Sequence, residues 1–252
     1  MVDKFDISYL FEKSWSSFVK YFGFLIPLVI IFLFIPQYLY SVFTYFNPIS
    51  DDLIYNLLQG SISFWSFFVN HLLLHILLSL VLVLLSLIAT VSIINFFVNK
   101  KAKTFGELIK SSFRFYFSVV LVSFLISLFL IPLYALFIIP GVVFSVYWMF
   151  SHFFIIDKNE KVFASIGCSF KLIRNNWWST FGRILLLGLI NLSYGFFIGF
   201  LILIFEVIGV HVLVYSFVYD LLLLPASLFS LIYLVHLYKG LKSRNESVSL
   251  EK

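Results

Sequence analysis

Residues 115–156 read FYFSVVLVSFLISLFLIPLYALFIIPGVVFSVYWMFSHFFII and contain no Asp, Glu, Lys or Arg. An α-helix crosses the bilayer core with about 20 apolar residues, so this run holds two crossings and leaves almost nothing for a loop. The charged residues Arg114 and Asp157 flank it. Pro140 lacks an amide donor and disfavours helical angles in the preceding residue, and Gly141 permits a tight turn. The run therefore predicts two transmembrane helices with their hairpin turn at Pro140 and Gly141, at the outer membrane boundary.

The rest of the chain has the same apolar character. Of the 252 residues, 62% are hydrophobic and 12% are charged, whereas about a quarter of the residues in a soluble domain are charged. This composition excludes a soluble globular protein, because too little polar surface remains to cover one. The runs with almost no charge have room for six spans in total, and they are residues 21–50, 53–99, 115–156, 184–205 and 207–238.

The positions of the basic residues predict the topology. With six spans, all 17 Lys and Arg residues fall on one side of the membrane, and the loops on the other side carry only acidic charges. The positive-inside rule then predicts a multi-pass protein of the cell membrane with cytoplasmic N- and C-termini. Five or seven spans would divide the basic set. Because topology accounts for the net charge of +5, we expect no nucleic-acid partner.

Three stretches that precede the odd-numbered spans resemble one another. They begin at Phe5, Lys103 and Lys161, and each has apolar residues at helical spacing. Each also carries a serine followed by an aromatic residue: Ser14-Trp15, Ser112-Phe113 and Ser169-Phe170. Helices of this kind with basic flanks lie flat in the headgroup layer. The sequence therefore predicts a cytoplasmic-side amphipathic helix before each pair of spans.

The predicted fold is all-α, with six transmembrane helices arranged as three hairpins, each preceded by such an amphipathic helix. The repeat-like units are residues 5–98, 103–156 and 161–238. They form one transmembrane domain, residues 1–240, followed by a short polar cytoplasmic tail, residues 241–252. The alternative is that the three stretches are ordinary amphipathic connectors without true repetition.

Two of these stretches carry helix start signals. Thr104 and Glu107 have the spacing of a capping box, in which each side chain bonds the other residue's main-chain amide. Asn159 is expected to cap the third helix, with Glu160 in its first turn.

Residues 138–190 read IIPGVVFSVYWMFSHFFIIDKNEKVFASIGCSFKLIRNNWWSTFGRILLLGLI. This region resembles the signature region of a broad group of six-span membrane proteins. The group includes the membrane domain attached to some bacterial glycerophosphodiester phosphodiesterases, and many stand-alone proteins of unknown function. The matching features are Pro140-Gly141, the helix around Ser169, and the run from Asn176 to Trp178. The resemblance implies a six-span membrane domain and supplies no catalytic residues, since the phosphodiesterase would be a separate soluble domain.

Small and polar residues line one face of several spans at helical spacing. They are Ser79, Ser86 and Thr90 in the second span, Ser123 and Ser127 in the third, and Gly188, Asn191, Gly195, Gly199 and Glu206 in the fifth. Small residues allow close helix packing, and hydroxyl and amide groups can bond between helices. These faces therefore predict helix–helix seams, and the alternative is a polar cavity or path between hairpins.

Titratable side chains near the outer ends form a second candidate site. His71 and His75 are four residues apart, which places two imidazoles on one helix face as a metal pair would require. Glu206 and Asp220 come from neighbouring outer ends. Depth argues against metal binding, because these residues fall at the hydrated headgroup level, about 20 residues from the inner anchors. We therefore expect these four side chains to be ordinary residues of the membrane interface, and we expect no bound metal or cofactor.

The cytoplasmic approach to the fifth span combines aromatic and basic residues. Asn176, Trp177 and Trp178 are expected to anchor this span at the interface, where a Trp ring is buried and its N–H stays hydrated. Lys171 and Arg174 are candidates for contact with anionic lipid headgroups.

The chain lacks the nucleotide-binding, zinc-protease and serine-hydrolase motifs. We therefore predict a non-enzymatic integral membrane protein with a membrane-organising, lipid-contacting or assembly role, whose partners are membrane lipids. The alternative is a transporter or channel with a polar path between hairpins. A lipid-modifying enzyme ranks third, because no nucleophile and base lie at a depth where they could meet.

Overall fold

A computed structural model describes residues 5–49, 51–61, 63–99 and 104–250, without the side chains of residues 51–53, 70, 71 and 247–250. The α-helices in chain order are α1 (Ile7–Val29), α2 (Ile35–Phe46), α3 (Asp51–Leu58), α4 (Phe64–Phe67), α5 (Leu73–Asn99), α6 (Phe105–Leu136), α7 (Ile138–Trp148), α8 (Ser151–Lys158), α9 (Val162–Arg174), α10 (Trp177–Val207) and α11 (Val212–Leu250). Two π-helical turns, Ile30–Phe34 and Phe68–Leu72, join α1 to α2 and α4 to α5.

Six helical segments of the described chain are long and apolar enough to cross a membrane. They are Ile7–Phe46, Leu73–Asn99, Phe105–Leu136, Ile138–Lys158, Trp177–Val207 and Val212–Glu246. The predicted all-helical fold with six candidate spans is therefore confirmed. The first span contains the π-helical turn Ile30–Phe34 between Pro27 and Pro36, because prolines remove amide donors and disturb the hydrogen-bond ladder.

The prediction of a separate helix before each odd-numbered span is wrong for the first two stretches. The stretch from Phe5 continues without a break through α1, and the stretch from Lys103 continues into α6. The first stretch is followed by Pro27, but the α-helix continues through this residue to Val29. The third stretch does form a separate helix, α9, which ends at Arg174, and Asn175 and Asn176 lie between it and α10. The asparagines at this junction, Asn175 and Asn176, favour such an interruption, because their short amide side chains compete for main-chain hydrogen bonds.

The two predicted helix starts have different outcomes. The capping box of Thr104 and Glu107 is present, with both side chain to main chain bonds at 3.4 Å. Asn159 does not cap α9, whose first residue is Val162. It lies instead after the end of α8 with φ 54° and ψ 37°, a left-handed conformation that Asn adopts more readily than most residues at a helix C-terminus.

The role predicted for Pro140 and Gly141 needs correction. The chain leaves helical geometry at Phe137 (φ −148°, ψ 106°), and both residues lie inside the first turns of α7. Proline is well tolerated there, because the first amides of a helix have no partner within it. Gly141 serves packing and not a turn, since a Cβ at this position would come within 2.6 Å of the Tyr134 ring.

The fourth span is interrupted between α7 and α8. Ser169, which is buried in α9, bridges the interruption with its hydroxyl group. Its Oγ accepts a hydrogen bond from the amide of Phe150 at 3.1 Å and donates one to the carbonyl of Tyr147 at 2.7 Å. The side chain thus replaces hydrogen bonds that the helix loses, in a region where unsatisfied main-chain groups are costly.

The ends of α5, α8 and α11 meet around Tyr238, in a region that we call the basic end. The Tyr238 hydroxyl donates to Asp157 at 2.7 Å, and Lys242 forms a salt bridge with the same carboxylate at 2.6 Å. Lys239 donates to the carbonyl of Phe97 at 2.7 Å, in the last turn of α5. Around this centre, α1 packs on α11, α6 packs on α5 and α8, and α9 packs on α8 and α11.

The predicted tail does not begin a separate segment at residue 241. Helix α11 continues to Leu250, and Leu241 is fully buried. Asn245 accepts a hydrogen bond from Asn176 at 3.0 Å and donates one to the carbonyl of Leu172 at 2.9 Å. Residues 241–245 therefore belong to the packed structure.

Candidate anion-binding site at the basic end

Several of the predicted polar residues form hydrogen bonds between spans. Ser123 of α6 lies 2.8 Å from Nε2 of His152 on α8, and Asn191 of α10 donates to Ser230 of α11 at 2.9 Å. Ser79 of α5 donates to the hydroxyl of Tyr40 at 3.3 Å. At these three positions the polar groups close a seam between helices by pairing with each other.

The remaining residues of these faces do not close a seam. Ser86 and Thr90 bond to carbonyls within α5, and Ser127 is exposed. The predicted close packing at Gly188, Gly195 and Gly199 is wrong, because a Cβ at any of them would meet no heavy atom within 4 Å. Helix α10 meets α11 through Asn191, but the glycines beside Asn191 are not closely approached by another helix, as tight glycine packing requires.

The candidate metal ligands whose side chains are described at the opposite end are not grouped into a metal site. The described side chains contain no group of three His, Cys, Asp or Glu that could hold a metal ion. His75 lies 3.1 Å from the carbonyl oxygen of Asn47, and the side chain of His71 lies outside the described residues. Glu206 and Asp220 belong to different helices, α10 and α11.

The predicted anchor has one exposed and one packed tryptophan. Trp178 is 78% exposed. Trp177 stacks on Phe181 with 5.1 Å between ring centroids. Asn176 bonds to Asn245, so it joins the start of α10 to α11. Lys171 and Arg174 are exposed on α9, where headgroup contact stays a prediction.

A polar cavity of about 730 Å³ lies at the basic end between α1, α11 and the last turn of α5. Lys13, Ser17 and Lys20 line it from one face of α1, because they are spaced by four and three residues along the helix. Two further hydroxyl groups and three aromatic rings complete much of the wall; they belong to Ser16, Ser243, Tyr21, Phe96 and Phe97.

The opposite wall comes from one face of α11, through His236, Lys239 and Ser243. Ser17 and Nε2 of His236 lie 3.0 Å apart and share a hydrogen bond across the cavity floor. The ring of His236 also packs edge-on against Phe97 at 6.0 Å. These contacts fix the two helical walls relative to each other.

The cavity is positively charged. Three lysines line it, and no Asp or Glu is among the described residues of its wall. Hydroxyl groups and ammonium groups both donate hydrogen bonds. The arrangement is therefore suited to an anion and lacks the carboxylate ligands that a hard cation requires.

A second cavity of about 500 Å³ lies between α5, α6 and the end of α8. Lys110 and Arg114 line it, but so does Asp157, which already binds Lys242. Its floor is a network in which Asn95 donates to Ser112 at 3.1 Å. The nearby carboxylate makes this cavity less suited to an anion than the first one.

The sequence alone does not mark the lysines of the first cavity as site residues. By their position, Lys13 and Lys20 indicate only topology, because basic residues are ordinary on the cytoplasmic side of a membrane protein. Their spacing with Ser17 shows that they share a face, but the sequence does not show that α11 brings Lys239 opposite them. That pairing joins residues more than 200 positions apart.

Comparisons of this chain with protein-family models, with curated proteins and with solved structures find no match.

Proposed function

We propose that this chain is a non-enzymatic, multi-pass protein of the cell membrane that contacts anionic lipid headgroups through its basic end. The spans form three hairpins in this proposal, and both termini are cytoplasmic. Six apolar helices support a multi-pass membrane protein. The large number of exposed Leu, Ile, Val and Phe side chains on these helices supports contact with lipid, since apolar surface is stable in a bilayer.

The observation that carries the lipid-contacting role is the positively charged cavity beside α1. It gathers Lys13, Lys20 and Lys239 at one end of the spans. The segment Ile7–Phe46 has 40 helical residues, about twice the number that a bilayer core needs. In this proposal the first turns of α1 extend beyond the core, to the depth where lipid headgroups lie.

Transport between hairpins is the less well supported alternative. Three of the polar side chains expected to line a path are paired across seams, among them Ser123 with His152 and Asn191 with Ser230. Ser86 and Thr90 bond to carbonyls of their own helix. An apolar groove of about 530 Å³, lined by Phe11, Trp15 and Phe229 among others, opens at the surface between α1, α10 and α11. Closed seams and surface grooves favour a static, lipid-contacting role.

The relation to the membrane domain of glycerophosphodiester phosphodiesterases is also part of this proposal. It rests on the sequence features from Pro140 to Trp178, and it is compatible with a six-span protein without catalytic residues of its own.

Lipid retention tests the proposed function. The purified protein is released from nanodiscs of mixed phosphatidylglycerol and phosphatidylcholine and examined by native mass spectrometry. We expect enrichment of phosphatidylglycerol over the nanodisc composition, because basic residues near a membrane surface attract anionic lipid with about 1 kcal/mol each. Retention in the same ratio as the nanodisc would contradict the proposal.

Flux through reconstituted liposomes tests the alternative. A protein with closed seams is expected to leave ions and small polar solutes inside the liposomes. Saturable release of an entrapped solute that requires the protein would favour transport.

A further inference from the structure

We propose that the cavity between α1, α5 and α11 is a binding site for the phosphate group of an anionic amphiphile, of the kind found in a phospholipid headgroup. The inference deepens the proposed lipid contact and rests on it. It differs from general attraction between a basic surface and a membrane, because it assigns the binding to one cavity and to named residues.

The first argument is uncompensated charge. Lys13 and Lys20 form no salt bridge with any carboxylate of the described residues, and no such carboxylate lines the cavity. Both lysines line the cavity and are exposed. Lysine is a point-charge ligand for phosphate. A phosphate at this place would neutralise ammonium groups that otherwise repel one another.

The second argument is the set of hydrogen-bond donors. Ser16 on α1 and Ser243 on α11 both line the cavity with hydroxyl groups. A hydroxyl donates one hydrogen bond and suits a phosphate oxygen, which only accepts. The bond between Ser17 and His236 holds the walls in place before the ligand arrives. A preformed site saves part of the entropy cost of binding.

The third argument is the size and the mixed character of the wall. The volume of about 730 Å³ falls within the range of about 300 to 1,000 Å³ that is usual for small-ligand sites, and a bare phosphate would leave most of it empty. Tyr21, Phe96 and Phe97 form an aromatic side beside the lysines. Such a wall fits a ligand with an anionic group and an apolar part.

The test compares two variants with equal loss of positive charge at the cytoplasmic-side surface. The cavity variant carries Lys13→Gln and Lys20→Gln. The control variant carries Lys158→Gln and Lys161→Gln, at exposed positions at the end of α8 and just before α9 that do not line the cavity. Glutamine keeps helix propensity close to that of lysine and arginine. Lys239 is left intact, because its bond to Phe97 supports the fold.

Each purified protein in detergent is titrated with phosphatidylglycerol, and the rise in Tm gives an apparent Kd. We expect the cavity variant to bind roughly twenty-five-fold more weakly than the native chain, about five-fold for each lysine removed. The control variant should bind close to the native chain. Equal weakening of both variants, or no weakening of the cavity variant, would overturn the proposal.

A parallel titration with glycerol 3-phosphate separates a lipid headgroup from a soluble phosphate ester. Stabilisation by phosphatidylglycerol alone, lost in the cavity variant, assigns the site to a lipid. Stabilisation by glycerol 3-phosphate with the same dependence on Lys13 and Lys20 assigns it to a soluble ester. If neither compound stabilises the native chain, the site does not exist. A native preference for phosphatidylglycerol that both variants keep would leave the proposed function standing and remove only this site.

Discussion

Single hydroxyl and ammonium groups at the basic end hold distant parts of the chain together. Ser169 bonds to both sides of the interruption between α7 and α8. Lys242 and Tyr238 both bind Asp157. The guanidinium of Arg183 lies 3.7 Å from the centroid of the Phe5 ring, and its Nε donates a hydrogen bond to the Phe5 carbonyl at 2.8 Å. These contacts are where single substitutions should have the largest effects on stability.

Ser169→Ala should destabilise the protein by about 1 to 3 kcal/mol, because the buried amide of Phe150 loses its acceptor and the carbonyl of Tyr147 loses its donor. Thermal unfolding in detergent measures the effect as a drop in Tm of several degrees. Ser193→Ala is the matched control, since Ser193 is exposed and bonds only within its own helix. Equal Tm values for the two variants would show that the bridge does not stabilise the interruption.

At the scale of the helices, α11 is the element that connects the others. The middle of α11 contributes four fully buried side chains to the core: Leu228, Ile232, Val235 and Leu237. It contacts α1, α5, α9 and α10. The part of α11 beyond residue 240 continues these contacts, although its polar sequence predicts a loose tail.

Ending the chain after residue 240 should lower the Tm clearly, whereas ending it after residue 246 should have little effect. The shorter chain loses buried Leu241, the salt bridge of Lys242 with Asp157 and the two bonds of Asn245. Burial of a leucine side chain alone contributes about 1.5 to 3 kcal/mol. Unfolding temperatures of the two truncated proteins in the same detergent measure the difference. If both match the full chain, residues 241–246 behave as the polar tail that their sequence suggests.

For the whole molecule, charge asymmetry is the property that predicts the orientation of the protein in the membrane. The lysines of the first cavity and Lys242, which binds Asp157, lie at the basic end. The loop that contains α3 and α4, between the first two spans, has no Lys or Arg in its sequence. Such an asymmetry fixes topology during insertion.

Cysteine labelling measures that orientation. In a chain with Cys168→Ser, Ser61→Cys and Lys171→Cys each place one thiol at an exposed position. An impermeant maleimide added to intact cells should label the first variant only, and permeabilised cells should label both. Labelling of both variants from the same side would exclude the six-span topology with cytoplasmic termini.

The sequence by itself determined the number of candidate spans and the capping box at Thr104, because each depends on neighbouring residues: runs of apolar side chains in one case and a three-residue spacing in the other. The interruption of the fourth span was invisible in the sequence, since the segment around Phe150 contains no Gly or Pro and its alternative bonding partner, Ser169, comes from another helix. The tight contact of Gly141 with Tyr134 likewise depends on how two helices meet. The cavity at the basic end exists only because folding places Lys239 of α11 opposite Lys13 and Lys20 of α1. Apolar runs and the positions of charges predict spans and topology, because these properties depend on residues that are close in sequence. A binding site needs side chains from distant segments to come together, and only tertiary packing decides which ones do.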